Sequence, residues 1–192
     1  MSPRATDTPQ RVLDAAAQML ARIGLNATSI REVNKLARAP LGSTYHHFPG
    51  GKQQLLARAT SVAGEKVEAL LVELLQQGGH AGLRMFLERW RERLLVSGFS
   101  AGCPILAAAV EEPVEATDSA ARTAAAEAFV RWRGRLADAF VADGHDRAHA
   151  DALATLVIAS VEGAVAMSRA MQDIAPFDAV AMQLLRVTAL VR

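Results

Sequence analysis

A short cluster of small, hydroxyl-bearing and aromatic residues occupies positions 42–48 of the chain. It reads Gly-Ser-Thr-Tyr-His-His-Phe, and a Pro-Gly-Gly stop follows it at 49–51. Small residues let a helix approach another surface closely, while Ser, Tyr and His side chains supply hydrogen-bond donors of modest length. This combination suits a helix that enters the major groove of a duplex, with base edges in front and phosphates beside it. The alternative is a surface helical hairpin whose aromatic side chains only cover a neighbouring core.

Two short helices around a tight turn must position this cluster. Ile30, Val33, Leu36 and Ala37 recur at helical spacing, which predicts a first helix with one apolar side. Thr28 precedes them and is expected to cap that helix, because its hydroxyl can accept a hydrogen bond from an amide of the first turn.

The second short helix is expected to begin at Pro40, whose missing N–H costs nothing in a first turn. Thr44 and Phe48 are four residues apart, so both can face inward. Tyr45 and the two histidines after it then remain on the outer side. Lys52 opens the next helix, where its ammonium and the free N–H groups of the first turn favour a phosphate.

A longer helix precedes this pair. Val12, Ala16, Leu20 and Ile23 predict its apolar stripe, which ends at Gly24. The helix begins near residue 9 and most simply packs behind the two short helices to make a three-helix unit.

Residues 9–56 resemble the N-terminal DNA-binding domain of TetR-type transcriptional repressors. The cluster at 42–48 closely follows the usual signature of that family, Gly-Ser-Leu-Tyr-His-His-Phe. The residues at 39–40 (Ala-Pro) and 48–52 (Phe-Pro-Gly-Gly-Lys) are similar to a subgroup that contains lincomycin-resistance and flavonoid-responsive repressors. The Gly-Cys-Pro sequence at 102–104 is similar to a feature of the same subgroup.

Three residues depart from that family pattern. Arg38 stands at the usual turn glycine, and a left-handed backbone there would cost on the order of 1 kcal/mol. Leu41 replaces a common lysine, which removes one phosphate contact and can alter base preference. Thr44 replaces the usual leucine, which we expect to weaken the inner packing of the second short helix.

The resemblance implies an all-α fold of about nine helices. Residues 1–51 would form a helix-turn-helix DNA-binding domain, and residues 52–192 an effector-binding and dimerisation domain. The implied function is a ligand-responsive regulator, most simply a repressor that a small apolar effector releases from a near-palindromic operator on double-stranded DNA. The residues expected to contact DNA are Thr28, Ser29, Arg31, Pro40, Leu41, Gly42, Ser43, Thr44, Tyr45, His46, His47 and Lys52.

Charge and composition agree with a DNA-binding front end. Residues 1–60 carry eight Lys and Arg against three Asp and Glu, whereas residues 61–192 carry thirteen against seventeen. A basic segment beside a mildly acidic body fits phosphate attraction confined to one region.

Cys103 is the only cysteine, so an internal disulfide is excluded and a reducing cytoplasm is expected. No uninterrupted apolar run approaches the roughly 20 residues of a membrane span, so no membrane partner is expected.

The remainder of the chain is predicted to be helical, with no competing strand pattern. An acidic connection is formed by Glu111, Glu112, Glu115 and Asp118, which could bind a cation, although a solvated loop is the simpler interpretation. The predicted helices of the body cover about residues 52–77, 81–96, 104–112, 119–143, 146–171 and 177–191.

The last two long helices are apolar on more than one side. One apolar face packs in the core of the chain, so the second face must be buried by another surface. A symmetric dimer would bury it by forming a four-helix bundle. Paired reading helices could then contact half-sites about one duplex turn apart. The alternative is burial of both faces within the monomer. The resemblance favours a homodimer through these two helices.

Aromatic residues scattered among alanines in the body suggest a cavity for the effector. Glu162 interrupts an apolar run, and a buried carboxylate needs a partner or a proton. Glu162 could form an interhelical ion pair with an arginine or could contact the ligand. The candidate ligand-binding residues are Phe86, Trp90, Phe99, Cys103, Phe129, Trp132, Glu162 and Met167.

A rival class is a metal-dependent enzyme in a helical bundle. His145 and His149 are four residues apart, which is the spacing of two metal ligands on one helix face. A solvent-facing pair is the simpler interpretation, since no cysteine or third histidine accompanies them. The chain also has no persuasive nucleophile elbow, Walker loop or dinucleotide glycine motif, so neither catalysis nor a cofactor is expected. A second rival is a DNA-binding regulator without an effector.

Overall fold

The computed structural model describes residues 8–112 and 120–189. Within these ranges the protein is all α-helical, with nine helices and no strand, as the sequence predicts. The start predicted at residue 119, the end predicted at residue 191, and Glu115 and Asp118 of the acidic connection lie outside the described residues. The helices are α1 (Thr8–Ala27), α2 (Ile30–Ala37), α3 (Leu41–His47), α4 (Gly51–Leu75), α5 (Gly79–Val96), α6 (Pro104–Val110), α7 (Ala120–Ala142), α8 (Arg147–Met171) and α9 (Ala175–Val187).

The chain divides into two compact units. The first contains residues up to 65 together with 103–128, and the second contains 66–102 together with residues from 129 onward. Helices α4 and α7 each contribute to both units. The domain boundary expected between residues 51 and 52 is a functional division, and it stays a prediction.

Helix α1 is the centre of the first unit and packs against α2, α3 and α6. Val12, Ala16 and Leu20 lie on its buried face. The helix is broken at Gly24, where φ is 84° and ψ is 178°. Ile23 lies one residue before this break and is exposed, so its placement on the apolar face was wrong.

Helix α2 is capped by Ser29, and the prediction of Thr28 as its cap was wrong. The Ser29 hydroxyl accepts a hydrogen bond from the Glu32 amide at 3.2 Å. The Thr28 hydroxyl instead donates to the Gly24 carbonyl at 2.7 Å, because the chain has to turn sharply after the break in α1. Leu36 is 46% exposed, so the predicted apolar side of α2 is narrower than its spacing indicated.

The turn between α2 and α3 has the left-handed residue that its position predicts. Arg38 adopts φ 50° and ψ 46°, and its N–H is directed at the carbonyls of Asn34 and Lys35. Pro40 is extended, with φ −64° and ψ 138°, and it is the residue before the helix instead of its first helical residue. That small correction follows from the Ser43 amide, which donates to the Pro40 carbonyl at 3.1 Å and closes the first turn of α3.

The second unit is built on α5, α8 and α9, which pack against one another. Its largest fully buried side chains include Leu83, Leu94, Phe140 and Phe177. Gly79 permits a close approach at the start of α5, because a Cβ there would lie 2.8 Å from Cδ1 of Phe140.

Two carboxylates fix helix ends in this unit. Asp143 accepts hydrogen bonds from the amides of Gly79 (3.0 Å) and His80 (2.8 Å), which satisfies the first turn of α5. Asp178 on α9 accepts two hydrogen bonds from Arg91 on α5, at 2.8 and 3.1 Å. These hydrogen bonds, together with the negative charge of Asp178, raise the pKa of Arg91, so the guanidinium remains charged.

Helix α8 is long and apolar enough to cross a membrane by length and composition. Its most apolar window has a mean hydropathy of 1.6, and 44% of that window is buried within the protein. The core helix of a soluble protein passes the same test, so this single helix is weak evidence for a membrane span.

Candidate nucleic-acid interface

The outer side of α3 is a projecting surface of apolar, aromatic and imidazole groups. Tyr45 is 52% exposed and Leu41 is 48% exposed, and His46 and His47 are also exposed. A Cβ added at Gly42 would meet nothing within 4 Å, so this part of α3 has open space beside it. Tyr45, His46 and His47, which were predicted for the outer side, therefore lie together on one accessible surface.

The inner side of α3 is fixed by one apolar and one polar contact. Thr44 is 1% exposed, and its hydroxyl donates to Oδ1 of Asn34 on α2. Nδ2 of Asn34 donates in turn to the carbonyl of Ile30 at 3.0 Å. Phe48, the residue that ends α3, is also buried. The prediction that both Thr44 and Phe48 face inward is confirmed.

Thr44 was also among the predicted DNA contacts, and its side chain cannot serve as one because it is buried. The expected weakening of the inner packing is offset by the hydrogen bond to Asn34. A hydrogen-bonded hydroxyl avoids the cost of an unsatisfied buried polar group, and it adds a direction that a leucine would not supply.

The predicted phosphate-contacting residues are placed differently from one another. Arg31 is exposed, as is Ser29, whose hydroxyl accepts from the Glu32 amide. Lys52 is half-buried, and its ammonium donates to the carbonyl of Asn26 at 2.9 Å. The Thr28 side chain is buried and bonded to Gly24, so its predicted contact with a phosphate is a further correction.

Asn26, which the sequence analysis did not single out, joins three segments of the first unit. Its N–H donates to the Glu111 carboxylate at 3.0 Å, and its side-chain amide donates to the Glu112 carbonyl, also at 3.0 Å. Its own carbonyl accepts from Lys52. Glu111 therefore binds the end of α1, and its assignment to a purely solvated connection was wrong.

Gly24 makes room for that carboxylate. A Cβ at this position would lie 1.9 Å from Oε1 of Glu111, a distance that real atoms do not adopt. The glycine gave the only sequence signal for the contact, and it is indistinguishable from an ordinary helix-ending glycine.

The second unit contains a small apolar cavity with one carboxylate. Its volume is about 20 Å³. Four of the eight predicted ligand-binding residues line it: Phe86, Trp90, Trp132 and Glu162. The other lining residues are Val67, Leu71, Leu136, Val157, Ile158 and Val161.

The other four predicted ligand-binding residues do not line this cavity. Phe129 is half-buried, and its ring lies edge-on to Trp132 with centroids 5.6 Å apart. Met167 is exposed. Phe99 is half-buried in a left-handed turn, with φ 58°. Cys103 is buried and belongs to the first unit.

The histidine pair does not form part of a metal-ligating cluster. The rings of His145 and His149 are 5.4 Å apart, and Nε2 of His145 lies 3.3 Å from the Thr188 carbonyl. No group of three or more His, Cys, Asp or Glu residues that could hold a metal occurs within 8–112 and 120–189. The side chain of His145 instead contacts the end of α9.

Comparison with known proteins identifies the class that this fold and surface define. Residues 12–59 match the bacterial regulatory proteins of the tetR family, and residues 79–183 match the C-terminal domain of LmrA/YxaF-like transcriptional regulators. The chain belongs to the TetR family of transcriptional regulators, as its resemblance indicated. The members of this family are regulators and not enzymes.

Its relatives span nearly the whole chain. It is 39% identical to Rv0196 of Mycobacterium tuberculosis, described as an uncharacterized HTH-type transcriptional regulator, over 91% of each protein. It is 25% identical to the HTH-type transcriptional regulator LmrA of Bacillus subtilis, over 88% of this chain and 90% of LmrA. The crystal structure of a regulatory protein TetR from Rhodobacter sphaeroides superposes with a TM-score of 0.82 at 25% identity, covering 94% of this chain and 98% of that one.

The buried hydrogen bond between α2 and α3 makes a prediction about stability. Thr44→Val keeps the shape of the side chain but leaves Oδ1 of Asn34 buried without this donor. We expect the free energy of unfolding to fall by about 1–3 kcal/mol, measured by urea denaturation. Ser43→Ala removes a hydroxyl from a half-buried position of the same helix, and should cost less than about 0.5 kcal/mol. Equal losses for the two variants would contradict the assignment.

Proposed function

We propose that the outer face of α3 reads the major groove of operator DNA. The observation that carries this proposal is the division of α3 into an anchored inner side and an exposed outer side that includes Tyr45 and Leu41. The polar and aromatic groups on the outer side suit base edges. Arg31, Lys35 and Arg38 are exposed close by in the sequence, and their positive charges suit the flanking phosphates.

The proposed contacts follow from this placement. Tyr45, His46 and His47 face the bases, with Gly42 and Ser43 permitting close approach. The phosphate backbone of the DNA would be contacted by Ser29, Arg31, Pro40 and Lys52. Support comes from a structural neighbour, a cysteine mutant of the TetR-family regulator CifR complexed with 26 bp double-strand operator DNA. It superposes with a TM-score of 0.76, and its identity to this chain is 21%. The proposed DNA-binding domain is residues 1–51.

The DNA-binding proposal is tested by selecting the DNA fragments that the purified protein retains. The affinity of Tyr45→Ala for the recovered site is then measured. We expect affinity to fall about tenfold or more, because the ring supplies the largest exposed contact of α3. Met85→Ala, which shortens an exposed side chain on α5, serves as the matched control and should bind normally. An unchanged affinity for Tyr45→Ala would count against the proposal.

We propose that the regulator is a homodimer through α8 and α9. Leu156, Ala159, Gly163 and Met167 recur at helical spacing along α8 and are all exposed, and Met182 and Val187 are exposed on α9. Single exposed apolar side chains are ordinary, but a stripe of this kind along two helices favours an interface. The occupant that fits best is a second copy, because a two-fold interface presents two reading helices to a near-palindromic operator.

The dimer proposal predicts the effect of a charge in the stripe. Leu156 is 45% exposed, and Leu156→Asp would place a carboxylate between apolar surfaces. We expect a shift from dimer to monomer in analytical ultracentrifugation, together with an operator affinity reduced about tenfold or more. Val96→Asp introduces the same charge at an exposed valine at the end of α5 and should leave both measurements unchanged. A Leu156→Asp variant that remains dimeric would overturn the proposed interface.

We propose that residues 52–192 form the effector-binding and dimerisation domain, and that a small apolar effector binds there at an enlarged form of the cavity beside Trp90 and Trp132. A volume of about 20 Å³ holds a water molecule, whereas drug-sized ligands occupy several hundred. Binding therefore requires a more open arrangement. An effector releases DNA only if it binds that arrangement more tightly than the DNA-bound one.

The effector proposal is tested by thermal-shift screening of apolar small molecules, followed by operator release in a gel-shift assay. A true effector raises the melting temperature and dissociates the complex. Ile158→Phe fills the cavity from a half-buried position, and it should abolish both effects while leaving operator affinity intact. If no compound produces either effect, the chain is a DNA-binding regulator that responds to something else. A cytoplasmic location is part of this proposal, because operator DNA is the partner.

A further inference from the structure

Leu41 is an apolar side chain at a place where polar chemistry is expected. It is the first residue of α3 and is 48% exposed, one turn before the exposed Tyr45. Pro40 before it has no N–H, and Gly42 after it has no side chain and open space around it. Leu41 therefore lies about half exposed at the start of α3, beside the open space at Gly42.

Leucine can neither donate nor accept a hydrogen bond, so this residue cannot read the polar atoms of a base or hold a phosphate. The major-groove edge of DNA carries one apolar group among the four bases, which is the C5 methyl of thymine. The phosphate attraction that brings DNA to this surface is available from other exposed side chains, Arg31, Lys35 and Arg38. Leu41 is thus free to contribute apolar contact alone.

We infer that Leu41 determines operator specificity by packing against the C5 methyl of a thymine in each half-site. The inference rests on the proposed function of α3. The contact removes apolar area from water on both sides, and this gain is lost wherever cytosine or a purine replaces that thymine.

Uracil substitution tests the methyl group without disturbing the hydrogen-bonding edge of the base pair. Each thymine of the selected operator is replaced in turn by deoxyuridine, in both half-sites at once. At one position, this replacement should lower the operator affinity of the unaltered protein about fourfold per half-site, which is the effect of one buried methyl group. Leu41→Ala should bind the thymine operator more weakly and should no longer distinguish thymine from uracil at that position.

Leu36→Ala supplies the matched control, because Leu36 is an equally exposed leucine (46%) on the neighbouring α2. This variant should retain the full difference between thymine and uracil. Leu41→Lys should lose the difference and should show a steeper salt dependence, since the new ammonium adds a phosphate contact. All three variants should remain folded, with melting temperatures within a few degrees of that of the unaltered protein, because both leucines are about half exposed.

The possible outcomes separate this inference from the function on which it rests. If the protein binds its operator but Leu41→Ala changes the response to no uracil substitution, the thymine contact is overturned and the DNA-binding function is retained. Equal loss of discrimination in Leu36→Ala would also overturn it, because the effect would then not belong to Leu41. If the protein retains no DNA fragment at all, the proposed function fails first and this inference fails with it.

Discussion

The orientation of α3 depends on a buried directional contact, the hydrogen bond from the Thr44 hydroxyl to Asn34. Phe48 anchors the end of the helix by burial, but apolar packing alone permits small rotations and shifts. The hydrogen bond defines which side of α3 faces α2, and thereby which residues face outward. With only seven residues, α3 has little backbone bonding of its own to hold it in place. The role proposed for α3 in reading DNA thus depends on a buried polar pair.

Much of the architecture was readable from periodicity, because long amphipathic helices repeat their apolar residues often enough to be recognised. The outward position of Tyr45 followed from the same reasoning. The sequence did not show which of two neighbouring polar side chains would cap a helix. Thr28 and Ser29 are adjacent and chemically similar, yet the Thr28 hydroxyl binds the Gly24 carbonyl and the Ser29 hydroxyl caps α2. A sequence pattern has no means of weighing that choice.

Contacts across long sequence separations were equally inaccessible. Glu111 reaches Asn26 over 85 residues, and nothing in the composition of either segment predicts the pair. The cavity is a similar case. The types of its lining residues could be guessed, since Phe86, Trp90 and Trp132 are large and apolar, but its volume depends on how neighbouring helices pack. Any response to an effector must begin from this closely packed state.

The steric relation between Gly24 and Glu111 restricts how the protein can diverge. A side chain at position 24 would collide with the carboxylate, so the end of the Glu111 side chain would have to move if the glycine were replaced. Even then the backbone angle of 84° disfavours most residues. Position 24 is therefore restricted first by its backbone conformation, because the flexible end of the Glu111 side chain can move away whereas a side-chain shift cannot relieve the positive φ.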